Sequence, residues 1–161
     1  MQKLRVFFTF ILVGVALGLN AQVNTGGNIG VNIVDNILQI DIAPEINYSP
    51  LDDVLFGLSP FILYSKDLET LMKLYVYGVR MYGEYTIIQN FFVHLEYEYS
   101  RAWTNEGFGA AIHSAPIGGG FEQEISQGVV AYGMILYDVL YSSETSIRQN
   151  PVVRAGVRYS F

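Results

Sequence analysis

The chain has 161 residues, of which 51% are hydrophobic, 14% aromatic and only 15% charged, a profile more apolar and less charged than that of an average soluble domain and too hydrophobic for a disordered chain. It contains no cysteine, which excludes a disulfide framework, thiolate chemistry and a lipid-modified cysteine. The formal net charge of −6 argues against nucleic acid as a partner, because nucleic-acid affinity depends on neutralising phosphates.

The N-terminus has the pattern of a secretory signal peptide. Lys3 and Arg5 form a short positive region, the apolar run 6–19 follows, and a small residue stands where a signal peptidase would cut. The run is shorter than the ~20 residues of a membrane-spanning helix, although an uncleaved anchor helix is the alternative. We therefore divide the chain into a signal peptide, residues 1–21, and one domain, residues 22–161. Without the leader, seven basic and fifteen acidic residues remain, a formal charge of −8.

Charges interrupt every apolar run of the mature chain, so no segment in it is a candidate for a transmembrane helix. A secreted, apolar chain without such a helix can enter a membrane as a closed β-barrel, because closure satisfies every backbone donor and acceptor in lipid. A barrel of this kind requires segments of about ten residues in which apolar and polar side chains alternate, separated by turn residues.

Turn-forming residues divide the mature chain into eight such segments. The stretches LQIDIAPEINY and NFFVHLEYEYS alternate most clearly, with Phe92 as the exception on the polar face of the second. The predicted strands are residues 27–34, 37–48, 54–64, 71–85, 90–101, 110–125, 129–141 and 152–161. The prediction is therefore an all-β, eight-stranded antiparallel up-and-down transmembrane β-barrel, with the even strand number of single-chain bacterial barrels.

Aromatic residues fall near the ends of these strands. If both termini are periplasmic, Tyr48, Tyr85 and Phe161 lie at the periplasmic interface, and Tyr64, Tyr75, Tyr99 and Tyr141 lie at the outer interface. Such girdles are typical of membrane barrels, because the amphipathic rings are stable at the level of the lipid headgroups. A soluble lipocalin-like binder is the alternative, since alternation alone is also compatible with an apolar interior.

Several stretches carry a family resemblance: NFFVHLEYEYS, IGGGFEQEIS, AYGMILYDVL and the terminal GVRYSF. The chain resembles the small eight-stranded outer-membrane β-barrel proteins abundant in Bacteroidota, of the type of the OmpA and OmpX barrel domains. Its ending, with Val157, Tyr159 and Phe161, resembles the signal by which the outer-membrane assembly machinery recognises its clients. The resemblance implies an outer-membrane location and contact with lipid and with that machinery. It brings no catalytic residue and no cofactor.

The inward-facing residues of so narrow a barrel decide between a plug, a pocket and a pore, because eight strands leave room for their own side chains or one small ligand. By the alternation, the ionisable residues that point inward include Asp41, Glu45, Arg80, His94, Glu96, Glu98, Glu122, Arg154 and Arg158. Buried charges of both signs should pair, so we expect a lumen filled by salt bridges and closed to solutes. A turn centred at residues 87–88 predicts that Arg80 faces His94 or Glu96.

Three functions remain open. The favoured one is a non-enzymatic barrel that stabilises the outer membrane or docks on a larger envelope complex; the second is a narrow channel for ions or small solutes. The third is a lipid-A-modifying enzyme built on His113 and Ser114, although neighbouring residues of a strand point to opposite faces. We expect no metal, because His94 and His113 lack the spacing of a metal site, and no phosphate loop at residues 118–120, because no Lys-Ser/Thr follows.

Deletion of Phe161 tests the predicted assembly signal. We expect the shortened chain to insert poorly, because the last strand must pair with the first to close the barrel and its final residue marks the client for assembly. Membrane fractionation and heat-modifiable gel mobility measure the inserted fraction. Normal insertion of the deletion variant would contradict the prediction.

Overall fold

The computed structural model describes residues 22–34, 36–104, 107–142, 146, 148 and 150–160. They form nine β-segments: β1 Gln22–Val34, β2 Ile37–Leu51, β3 Val54–Asp67, β4 Lys73–Ile88, β5 Phe91–Thr104, β6 Gly107–Ser114, β7 Pro116–Ser126, β8 Val129–Asp138 and β9 Val152–Ser160. Within these ranges, no helix is long and apolar enough to cross a membrane. The predicted signal peptide, residues 1–21, and Phe161 lie outside the described residues.

The segments close into a barrel. β1 to β5 pair antiparallel in chain order, β7 pairs with β8, and β8 pairs with β9. β6 and β7 both pair with β5, so they are consecutive halves of one barrel strand. β9 returns to β1, with Arg154 opposite Gly30 and Tyr159 opposite Thr25. The fold is a closed eight-stranded antiparallel β-barrel, which confirms the predicted fold class.

The barrel has two different ends. The turn end carries the tight turns at residues 52–53, 89–90 and 127–128, together with the first residue of β1 and the last of β9. The loop end carries residue 36, residues 68–72 and the segment between β8 and β9.

The sixth predicted strand is interrupted at Ala115, which corrects the continuous strand expected from the sequence. Pro116 has no N–H to give to the ladder, and the Ala115 N–H donates instead to Oδ1 of Asp138 at 2.9 Å. The same oxygen accepts the N–H of Leu140 at 3.0 Å. This second bond forms a turn, so β8 ends at Asp138, earlier than predicted.

β1 is longer than the alternation indicates. It begins at Gln22 rather than at residue 27, although the stretch NTGGN has no apolar alternation. Its backbone pairs residue by residue with β2, starting with Gln22 opposite Ser49. The neighbouring strands therefore impose the extended conformation on this stretch, whose own residues do not favour a strand.

The β2–β3 ladder is interrupted between the pairs Ile42–Ile62 and Ile46–Leu58, and Pro44 and Pro60 lie in the middle of this gap. Pairing is regular on either side, as at Ile42 and Ile62, but neither proline has an N–H to donate. The Ser59 hydroxyl donates to the Pro44 carbonyl at 2.7 Å, so a side chain on the lumen side satisfies this acceptor. An apolar groove of about 510 Å³ lies on the outer wall at this point.

The two faces of the barrel are reversed relative to a water-soluble protein. On β2, Asp41, Glu45 and Asn47 are buried in the lumen, whereas Ile42 and Ile46 on the outer face are 57% and 61% exposed. The outer face is apolar on the other strands too, but the lumen also contains two buried apolar clusters: Phe92, Tyr132, Met134, Leu136 and Val152, and Ala43, Phe61, Leu63 and Val76. A soluble barrel would place its apolar face inside, because that burial stabilises it in water. An apolar exterior and a polar interior are the arrangement of a membrane barrel.

Aromatic side chains mark both ends of this apolar wall. At the loop end the Tyr64 and Tyr75 rings lie 5.3 Å apart, and exposed Trp103 stands opposite Tyr75 in the ladder. At the turn end the Phe91 and Phe121 rings are 5.2 Å apart. The wall therefore carries rings at the two levels where a bilayer has its interfaces. Tyr48 and Tyr85 also lie towards the turn end, and Tyr99 and Tyr141 towards the loop end.

Four aromatic rings in the lumen each lie over a glycine directly across the strand ladder. The pairs are Phe61–Gly78, Tyr82–Gly57, Phe92–Gly120 and Tyr132–Gly156. A Cβ on any of these glycines would lie well under 3.0 Å from an atom of its partner ring. Glycine thus creates the space that a large ring needs inside eight strands, and Phe92 is buried in the lumen as its place on the polar face requires.

Gly78→Ala tests this packing. We expect it to lower the free energy of unfolding by about 1–3 kcal/mol, because the added methyl group displaces the Phe61 ring from its position. Gly83→Ala is the matched control on the outer face of the same strand, where the nearest atom to a new Cβ is 3.6 Å away, in Phe56. Urea unfolding in lipid vesicles measures both variants. Equal losses would show that the ring does not need the glycine.

Candidate functional site

The lumen contains a continuous network of carboxylates and guanidinium groups. The nine residues predicted to point inward take part in it: Asp41, Glu45, Arg80, His94, Glu96, Glu98, Glu122, Arg154 and Arg158. All are buried except Glu122, whose side chain is 27% exposed near the turn end. The strand pairing therefore brings together residues that lie far apart in the chain.

Arg80 is the centre of the half of the network nearer the loop end. Its Nε donates to Oε2 of Glu98 at 2.9 Å, and its Nη2 donates to Asp41. Glu96 lies 3.6 Å from the same Nε. The guanidinium carbon lies 4.1 Å from the centroid of the Phe61 ring, so an aromatic face supports the cation that the carboxylates surround.

The predicted ladder partner of Arg80 is wrong. The observed partner is the next inward-facing residue along β5. Arg80 stands opposite Glu98 in the ladder, rather than His94 or Glu96. The turn forms at residues 89–90 instead of 87–88, because β-branched isoleucines favour the strand and amide side chains favour the turn. A one-residue irregularity between Thr86 and Ile88 moves the register back by one, so Arg80 faces Glu98 rather than Tyr99. The predicted face is unaffected, since a shift of two residues conserves the side of the sheet.

Arg154 binds Glu96 with both ends of its guanidinium group. Its Nη1 is 2.7 Å from Oε2, and its Nη2 is 3.1 Å from Oε1. This bidentate geometry is the strong form of the arginine–carboxylate pair. Because Arg154 is on β9 and Glu96 is on β5, the bond joins opposite walls of the barrel.

His94 lies between two carboxylates. Its Nδ1 is 2.8 Å from Oε1 of Glu84, and its Nε2 is 3.1 Å from Oε2 of Glu96. When both carboxylates are ionised, both oxygens accept, so each ring nitrogen donates a proton and the ring is an imidazolium cation. Neither nitrogen is available as a general base or as a metal ligand. In the part of the chain that the structure describes, no group of His, Cys, Asp and Glu side chains is arranged to hold a metal ion.

Arg158 organises the half of the network nearer the turn end. Its Nη2 donates to Glu84 at 2.7 Å and its Nη1 to Glu122 at 3.4 Å. The guanidinium carbon lies 4.1 Å from the centroid of the Tyr132 ring. Glu45 lies 3.7 Å from Nε and also accepts a hydrogen bond from the Tyr132 hydroxyl at 2.5 Å.

Two ionisable residues of the network were not named from the sequence. Glu84 has the same parity as Arg80 on β4, so the alternation would have assigned it to the lumen. No sequence pattern assigned Arg148 to the lumen, because it lies between β8 and β9 in a predicted outer loop. It enters the lumen at the loop end, where its Nη2 donates to Asp41 at 2.6 Å and its Nη1 donates to Glu98.

The charges balance almost completely. The half nearer the loop end has three carboxylates, Asp41, Glu96 and Glu98, with three arginines, Arg80, Arg148 and Arg154. The half nearer the turn end has three carboxylates, Glu45, Glu84 and Glu122, with Arg158 and the His94 cation. The one excess negative charge falls in the half that contains Glu122, where water reaches the carboxylate.

Among the described residues, free space lies at both ends of the lumen. A cavity of about 260 Å³ opens at the turn end beside Asn24, Glu122 and Arg158. Two voids of about 10 Å³ each flank Arg148 at the loop end, and each is large enough for roughly one water molecule. Between them the side chains of Arg80 and Arg154 are only 1% exposed. In the described part of the barrel, these side chains lie between the cavity at the turn end and the voids at the loop end.

His113 and Ser114 contact different residues, on different faces of the strand. The Ser114 hydroxyl donates to Oδ2 of Asp138 at 2.6 Å. The His113 ring is exposed on the outer wall, with Nδ1 2.5 Å from the Tyr97 hydroxyl. Neighbouring strand residues point to opposite faces, so this serine and this histidine do not form the contact that a nucleophile and its base require.

No protein-family model matches the sequence, and no curated protein matches it. In fold it is similar to the crystal structure of Neisserial surface protein A, at 12% identity and a TM-score of 0.51, over 88% of this chain and 97% of that one. It is also similar to a de novo designed transmembrane β-barrel, at 8% identity and a TM-score of 0.50, over 87% and 95% of the two chains. At these identities the likeness shows the fold alone, an eight-stranded barrel that resembles outer-membrane proteins.

Arg154→Met tests the energetic importance of the network. We expect a loss of about 3–5 kcal/mol in the free energy of unfolding, because Glu96 is left buried without its bidentate partner. Adding Glu96→Gln removes the unpaired charge, so the double variant should lose less than the sum of the two single variants. Urea unfolding of all four proteins in vesicles completes the cycle. Additive losses would show that the two side chains do not act as a pair.

Proposed function

We propose that this chain is an integral outer-membrane protein with a non-enzymatic, structural or interaction role and a lumen closed by salt bridges. In this proposal residues 1–21 are a cleaved signal peptide, and the mature chain belongs to the small barrels of the Bacteroidota type. The observation that carries the proposal is the buried ion-pair network from Arg148 at the loop end to Glu122 near the turn end.

The wall supports a location in a membrane. Large apolar side chains cover its outer face, and many are more than half exposed, as Leu95 and Ile135 are at 61% and 60%. Such a surface is unfavourable in water, where contiguous apolar patches cause association. In lipid it needs no cover, because every strand of the closed barrel has two neighbours for its backbone hydrogen bonds.

The network supports a closed lumen rather than a channel. A conducting path must offer an ion sites that are favourable enough to enter and weak enough to leave. Here the carboxylates that could attract a cation already bind arginines, as Glu96 binds Arg154 at 2.7 Å. Moving these side chains aside would break buried ion pairs, which is costly.

The barrel surface supports an interaction role within the membrane plane. Barrels usually bind soluble partners through extended outer loops, but the turns at residue 36 and residues 68–72 are short, and the Arg148 side chain points into the lumen, where it binds Asp41. The outer wall is the largest surface that remains. We therefore propose outer-membrane lipid, and a larger envelope complex that docks on this wall, as the partners of the mature protein, after insertion by the assembly machinery.

The separation of His113 from Ser114 supports the non-enzymatic proposal over a lipid-A-modifying enzyme. Acyl transfer by a serine requires a base within hydrogen-bond distance of the hydroxyl, and here the serine binds a carboxylate instead. Mass spectrometry of lipid A from cells with and without the protein tests this point. A modified lipid A that disappears on Ser114→Ala or His113→Ala would overturn the proposal.

Fractionation and planar-bilayer recording test the location and the closed lumen separately. We expect the protein in the outer-membrane fraction, with heat-modifiable mobility, because its wall is apolar and its barrel is closed. We expect no stable conductance from the purified protein, with an open porin in the same bilayer as the positive control. Recovery in the soluble periplasmic fraction would overturn the location, and a stable current would overturn the closed lumen.

A further inference from the structure

Arg148 occupies a preformed site at the loop end of the barrel. Its two terminal nitrogens donate to Asp41, at 2.6 Å, and to Glu98. Its guanidinium carbon lies 4.8 Å from the centroid of the Phe61 ring. Two carboxylates beside an aromatic face form an environment that suits a guanidinium group, because a planar fork can bind oxygens and stack on a ring at the same time.

The strands build this site without help from the segment that supplies Arg148. Asp41 is on β2, Phe61 on β3 and Glu98 on β5. Arg80 binds both carboxylates from the lumen side, and Gly78 provides the space for the Phe61 ring. The arrangement of the acceptors is therefore a property of the barrel, and Arg148 is its occupant.

The site requires one cation. Without Arg148, the half of the network nearer the loop end would contain Asp41, Glu96 and Glu98 but only Arg80 and Arg154. One buried carboxylate charge would then lack a partner. A guanidinium group restores the balance and supplies the N–H donors that an alkali ion lacks.

Arg148 is held less completely than the arginines of the strands. Its side chain is 11% exposed, against 1% for Arg80 and Arg154. Its Nε is buried without a hydrogen-bond partner among the described residues, as is one nitrogen of Arg80, of Arg154 and of Arg158, so the greater exposure is what distinguishes Arg148. It also belongs to the described residues between β8 and β9, outside the strands themselves.

We propose that the loop end is a binding site for a guanidinium group presented from outside the barrel, which Arg148 occupies as an internal ligand. An external group takes the place of Arg148 against Asp41, Glu98 and the Phe61 ring. Occupation by Arg148 makes the site self-inhibited, so external binding is visible when the internal ligand is removed. This proposal stands on the lumen geometry and does not depend on the location proposed above.

Rescue of Arg148→Ala by ethylguanidinium chloride tests the site. The variant and the wild type are folded in detergent micelles with millimolar ethylguanidinium chloride, or with sodium chloride at the same ionic strength. Folding yield and the midpoint temperature of the heat-modifiable gel shift are recorded. We expect the variant to lose yield and midpoint, and ethylguanidinium to restore both selectively, because a ligand that binds the folded state stabilises it. The wild type should show no such gain, because its site is filled.

Two further variants serve as controls. Arg101→Ala removes an exposed arginine on β5, whose Nε donates to the Tyr99 hydroxyl at 3.1 Å, and ethylguanidinium should not restore anything there. Arg148→Ala combined with Asp41→Asn weakens the acceptor pair, so rescue should be reduced several-fold. Equal effects of the two salts on Arg148→Ala, an equal gain in the wild type, or full rescue without the Asp41 carboxylate would each overturn the proposal. Folding yield gives an answer even if the variant does not fold without the added salt.

Discussion

The buried charges of the lumen must pair with one another, and much of the structure follows from this constraint. An ion without a partner in so dry an interior costs several kcal/mol. The ladders of the barrel connect only neighbouring strands, whereas several ion pairs connect strands that are not neighbours, as Arg154 of β9 does with Glu96 of β5. The network thus gives a hollow fold the cross-links that an apolar core gives a soluble protein.

The small residues and the rings make this network possible. Eight strands enclose little space, so a ring and a guanidinium group fit side by side only where the facing residue is glycine. Phe61 lies over Gly78 and supports Arg80, and Tyr132 lies over Gly156 and supports Arg158. The glycines, the rings and the arginines therefore form repeated packing units. In each unit the ring fills the space over the glycine and also stabilises the neighbouring guanidinium group.

The network also links the function to the fold. In the proposed function, a lumen in which arginines bind the carboxylates supports the barrel mechanically and is a poor path for solutes. Its loop end differs from the rest, because there the cation comes from outside the strands, in Arg148. That difference makes the loop end the place where binding from outside can compete with internal pairing.

The sequence by itself determined which side chains point into the lumen, and the tertiary structure decided which of them meet. The face of the sheet on which a side chain lies follows from the period of two along each strand. It therefore needs only local information, and the error in the predicted register at Arg80 did not change it. Partners depend on where the turns form, as at residues 89–90, and on a proline that divides a strand, as at Pro116. The entry of Arg148 depends on contacts with Asp41 and Glu98, which lie far from it in the chain and become neighbours only when the barrel closes.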